Sequence, residues 1–72
     1  MAELLRRTAR ELANEWLLAH KIERYDVQGF EHCRYAVEIM GHNRELSGND
    51  PLLWYSVVND MVTEIFQKNI GE

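Results

Sequence analysis

The sequence predicts an all-α fold, a small three-helix bundle, and three observations lead to it. Apolar residues recur at steps of three and four along three separate stretches, the period of a helix with one buried face. No stretch shows the period-two alternation of a half-buried strand. Helix breakers are few: one proline, Pro51, and glycines at 29, 41, 48 and 71. Together these place helices at about 2–22, 26–40 and 50–69, within a single domain covering residues 1–72.

The first helix gathers Leu5, Ala9, Leu12, Ala13, Trp16 and Ala19 on one stripe, with Leu17 at its edge. Arg7, Glu11, Asn14 and Glu15 occupy the opposite side. Its alanines and leucines are strong helix formers. The second helix starts from Asp26, whose short carboxylate suits the N-cap, and is expected to stop at Gly41, a natural residue just past a helix end. Its inner stripe reads Val27, Phe30, Cys33, Val37 and Met40. Gly29 and Ala36 flank that stripe as a ridge of small residues, which favours close approach of a neighbouring helix. Gly29 also costs about 1 kcal/mol of helix propensity relative to alanine, so this helix relies on packing.

Residues 41–49 read as a loop with Leu46 as an apolar anchor. Asp50 followed by Pro51 is then a strong start signal, a capping side chain ahead of a residue whose fixed φ suits the first helical turn. In the third helix Trp54, Tyr55, Val57, Val58, Met61, Val62, Ile65 and Phe66 cover an arc of about 180°. Asn59, Asp60, Thr63, Glu64 and Gln67 fill the rest. An arc that wide suits the central helix of a bundle, or one with a second subunit against it.

With 72 residues, the chain is near the lower limit for burying an adequate core unaided. Its 46% hydrophobic and 28% charged content is that of a globular chain. The single cysteine, Cys33, cannot form an intrachain disulfide and fits a reducing, cytoplasmic setting. Arg6, Arg7 and Arg10 are interrupted by acids and followed by no apolar run, so neither a secretory leader nor a membrane span is expected. The formal charge of −4 is uneven. Residues 1–24 carry five basic and four acidic side chains, whereas residues 25–72 carry three and eight.

No constellation in the sequence points to catalysis. His32 and Cys33 are adjacent and therefore diverge by about 100° on a helix, which suits neither a metal pair nor an activated thiol. His42 is out of step with both, and His20 sits near a helix end. Cys33 on an apolar stripe behaves as a small hydrophobe. The run Ser47-Gly48-Asn49-Asp50-Pro51 is turn chemistry, not a phosphate loop. The expectation is no enzyme, no metal, no cofactor and no small-molecule substrate.

Two surface readings remain. Tyr35, Ile39 and His32 fall on the outer side of the second helix at three- and four-residue spacing, an arrangement that forms a contact patch. Leu4, Leu18 and Ile22 are a smaller set outside the stripe of the first helix. These residues suggest a non-catalytic interaction module, a regulator, inhibitor or accessory subunit. It would bind another protein or itself, the latter as a homodimer. A histidine at such a contact would make binding sensitive to pH between about 5 and 7. The alternative is a small nucleic-acid-associated regulator contacting phosphates through Arg6, Arg7, Arg10, Lys21 and Arg24. Against it, the second helix turns Glu31 and Glu38 outward with Gln28, Tyr35 and Ile39, which would set acids against a groove.

Overall fold

A computed structural model describes residues 2–46, 48 and 50–70. The chain forms three helices, α1 (Ala2–Ala19), α2 (Val27–Asn43) and α3 (Pro51–Ile70), and each touches the other two. Among the described residues there is no strand, and the fold is a small three-helix bundle of 36 × 20 × 17 Å. Arg6 faces Asp60 and Arg10 faces Glu64, so α1 and α3 run parallel. Phe30 against Phe66 and the Glu38 carbonyl against Trp54 set α2 antiparallel to α3.

Both expected N-caps form. Asp26 is extended (φ −101°, ψ −178°) and its carboxylate accepts the Gly29 amide at 2.8 Å. Asp50 accepts the Leu53 amide at 3.2 Å, with Pro51 as the first helical residue. Each of these bonds satisfies a donor that the helix itself cannot pair.

The C-termini of α1 and α2 differ from expectation. α1 stops at Ala19, short of residue 22, because Lys21 takes a left-handed conformation (φ 51°). Its amide returns to the Leu18 carbonyl at 3.1 Å, and the Ile22 amide to Leu17 at 3.0 Å. This paired pattern is a Schellman closure, which ends a helix and folds the next apolar residue back on it. Ile22 is accordingly half-buried against the core. The same closure recurs after α2. Glu45 is left-handed (φ 55°), its amide meets the His42 carbonyl at 3.0 Å, and the Leu46 amide meets Gly41 at 3.0 Å. Leu46 then packs on the core as the expected anchor. In neither case is the left-handed residue a glycine.

Gly41 therefore does not end α2. It lies inside the helix, buried beneath the Trp54 indole. A Cβ there would land on the indole ring itself. Its role is close approach of two helices, which sequence spacing had assigned to Gly29. The indole is fully buried, and its Nε1–H donates to the Glu38 carbonyl at 3.2 Å.

α3 is the central element, as its arc predicts. Trp54, Val57, Val58, Met61, Val62 and Phe66 are all buried. α1 covers one flank with Ala9, Leu12, Ala13 and Leu17, and α2 covers the other with Cys33 and Val37. The arc is thus filled within one chain, and its breadth does not call for a second copy. Leu17, expected at an edge, is buried, and Ala19, expected inside, is exposed. Val27 also leaves the predicted stripe, with 77% of its surface exposed. It sits in the first turn of α2, where Phe30 already fills the space beside Phe66.

Two substitutions test this account of the helix ends and the helix–helix contact. Gly41→Ala should destabilise the fold by about 2–3 kcal/mol, since the added methyl must displace a rigid buried ring. Lys21→Gly should stabilise it by about 0.5–1 kcal/mol, because glycine carries no penalty for the left-handed region. Urea unfolding followed by Trp fluorescence measures both.

Candidate interaction surface

The outer side of α2 is a strip set by helical spacing, with its inner side held down by Cys33, Val37 and Gly41. Tyr35 is 63% exposed and Ile39 41% exposed, and His32 beside them is exposed as well. The three residues therefore lie together on one solvent-facing strip. Capping at Asp26 and the closure at Glu45 fix both ends of the helix that carries it. Along its side Arg34 grips Glu38 at 2.8 Å and Glu31 at 3.2 Å, one turn to either side. The hydrogen bond to Glu38 raises the guanidinium pKa further above its ordinary value. Glu38 is half-buried by this contact and does not project outward as its position on a helical wheel suggests.

The second predicted set is dispersed. Leu4 (62% exposed) and Leu18 (79% exposed) stand on α1, about 21 Å apart along its axis. The Schellman closure turns Ile22 to half-burial, where it borders a hollow with Leu18, so Leu4 alone stands apart. Sequence reasoning passed over Leu52 and Leu53, which are exposed on the first turn of α3. The signal for both was present: each falls outside the continuous apolar arc of that helix. Val27, Phe30, Thr63 and Phe66 also border an open apolar notch of about 250 Å³ between the start of α2 and the end of α3.

The predicted phosphate-binding residues do not form one cluster. Arg6 reaches toward Asp60 at 3.9 Å and Arg10 toward Glu64 at 3.7 Å, so α3 partly neutralises both. Arg7 is exposed on the outer side of α1, and Lys21 and Arg24 lie beyond its far end.

Each histidine and the cysteine has a definite packing role or exposure. His20 stacks on Trp16 with ring centroids 4.3 Å apart. His42 Nε2 meets the Tyr55 hydroxyl at 2.6 Å, joining the last turn of α2 to the first turns of α3. Cys33 is completely buried, and that burial pushes its thiol up to about 11. Among the described residues, no group of three or more His, Cys, Asp and Glu side chains converges as a metal site. Among the described residues, no helix is long and apolar enough to cross a membrane either.

No protein-family model matches this chain, and neither a curated protein nor a solved structure was found to match it.

Because the folded thiol ionises about two pH units later than an ordinary cysteine, Cys33 should be nearly inert toward alkylation at pH 8. Iodoacetamide labelling followed by mass should run at least about 100-fold slower than in the urea-unfolded chain.

Proposed function

We propose that this chain is a non-catalytic interaction module that binds a protein partner through the outer strip of α2. The observation that carries the reading is the exposure of Tyr35 and Ile39 together on a helix whose inner side already completes the core. An aromatic and an aliphatic side chain held on a rigid, capped helix lose little conformational freedom on binding, which favours them as anchors. His32, one turn from Tyr35, supplies a polar edge to the same strip. The partner is another protein, or a second copy packed on the same strip about a two-fold axis. The fold itself needs neither, since α1 and α2 together cover the apolar arc of α3. The module would act by occupying a surface, as a regulator, inhibitor or accessory subunit does, in a reducing compartment where the lone buried thiol stays free.

The nucleic-acid reading has less behind it. Two of its five cations face carboxylates of α3, and the chain as a whole carries a formal charge of −4.

Replacing Tyr35 and Ile39 together by alanine should leave helicity and urea midpoint nearly unchanged while weakening partner capture by at least about tenfold. Circular dichroism reads the first, and affinity measured on a partner isolated from the native cell reads the second. Sedimentation of the wild-type chain separates a second copy from a different protein. Unaltered binding by the double variant would sink the proposal.

A further inference from the structure

We propose that the seam between α1 and α3 is a second binding site, and that its occupant is a short acidic amphipathic helix of a partner protein. A groove of about 510 Å³ lies between Arg10 and Asn14 of α1 and Glu64, Lys68 and Asn69 of α3. It shares Asn14, Ile65 and Asn69 with a second hollow of about 330 Å³ that continues toward Leu18, Ile22 and Tyr25. The two are therefore one trough along the parallel pair of helices, with a charged half and an apolar half. From Arg10 to Leu18 it follows α1 for roughly 12 Å, a little over two turns of helix. A trough between two packed helices accepts a third helix by the same ridge-and-groove fit that builds bundles.

The character of the two halves sets the chemistry of the occupant. Leu18, with 79% of its surface exposed, and half-buried Ile22, Tyr25 and Ile65 offer an apolar floor at one end. At the other end Arg10 and Lys68 outnumber Glu64. This is a locally cationic strip on a chain whose formal charge is −4. Arg10 is held only loosely, 3.7 Å from Glu64 and 3.8 Å from the Met61 sulfur, so a partner carboxylate can take it over. A helix with leucine-like residues at three- and four-residue spacing and carboxylates at one end satisfies both halves at once. A phosphate backbone satisfies only the cations and leaves the apolar half unfilled. This inference concerns a face of the molecule separate from the outer strip of α2 and does not rest on it.

The experiment is selection of a displayed random-peptide library on the intact 72-residue chain, followed by titration of the enriched peptides. The expected peptides are acidic at one end and apolar at helical spacing, and their amide shifts map to Asn14, Leu18, Ile65 and Asn69. Arg10→Gln and Leu18→Asp, both at exposed positions, should each weaken those peptides at least about fivefold with the circular dichroism spectrum unchanged. The proposal is overturned if no peptide is enriched, if those enriched are basic, or if neither variant changes their affinity. Shifts confined to Tyr35 and Ile39 would also overturn it while leaving the α2 strip as the sole binding face. Tight, steeply salt-dependent binding of an oligonucleotide through Arg10 and Lys68 would assign the cations to phosphate and overturn it too.

Discussion

The contact between Gly41 and Trp54 governs the arrangement of the other parts. A full indole ring is buried on a helix only because the position beneath it carries no side chain. That single close approach fixes the distance between α2 and α3 and their register. The bond from Nε1 to the Glu38 carbonyl satisfies the one polar atom the ring brings inside. Glu38 is then held at its other end by Arg34, so the packing of the tryptophan reaches the surface of α2 in two steps. Outside the core, His42 and Tyr55 repeat the join between the same two helices.

The three helices divide the work unequally. α3 supplies the centre, α1 supplies small residues and leucines against one flank, and α2 contributes few buried side chains. A helix that buries little has more of its circumference to present, and α2 presents Tyr35, Ile39 and His32. Surface-recognition residues belong on such an element, since changing them leaves the core untouched. The reading of this chain as a binding module follows from that asymmetry, not from any cleft enclosed by the bundle.

The helix count, the two N-caps and the core of α3 were legible in the sequence because each depends on local chemistry or on periodicity. Asp26 and Asp50-Pro51 announce their roles through short-range bonding, and an eight-residue apolar arc has only one way to face. The C-termini of α1 and α2 were not legible. Left-handed Lys21 and Glu45 replace the glycine that such positions usually carry, so the stop signals were silent. Gly41, which looked like a stop signal, serves a tertiary contact that no local pattern encodes. The same gap explains Ile22: on a continued helix it points outward, and only the closure at Lys21 turns it in. The exposure of Tyr35 and Ile39 followed from the phase of α2, which Cys33 and Val37 suffice to set. The trough along α1 and α3 was beyond sequence reasoning, because it requires knowing that these helices lie side by side and parallel.

That parallel pairing has a consequence for the order of assembly. Contacts such as Arg10 with Met61 join residues 51 positions apart, while α2 meets each neighbour through a shorter connection. Closing the longer loop sacrifices more chain entropy before any contact compensates for it. Either hairpin, α1 with α2 or α2 with α3, therefore has the entropic advantage over direct pairing of α1 with α3. The seam is the natural last closure on the folding route, zipped once α2 has brought its two neighbours to the same side.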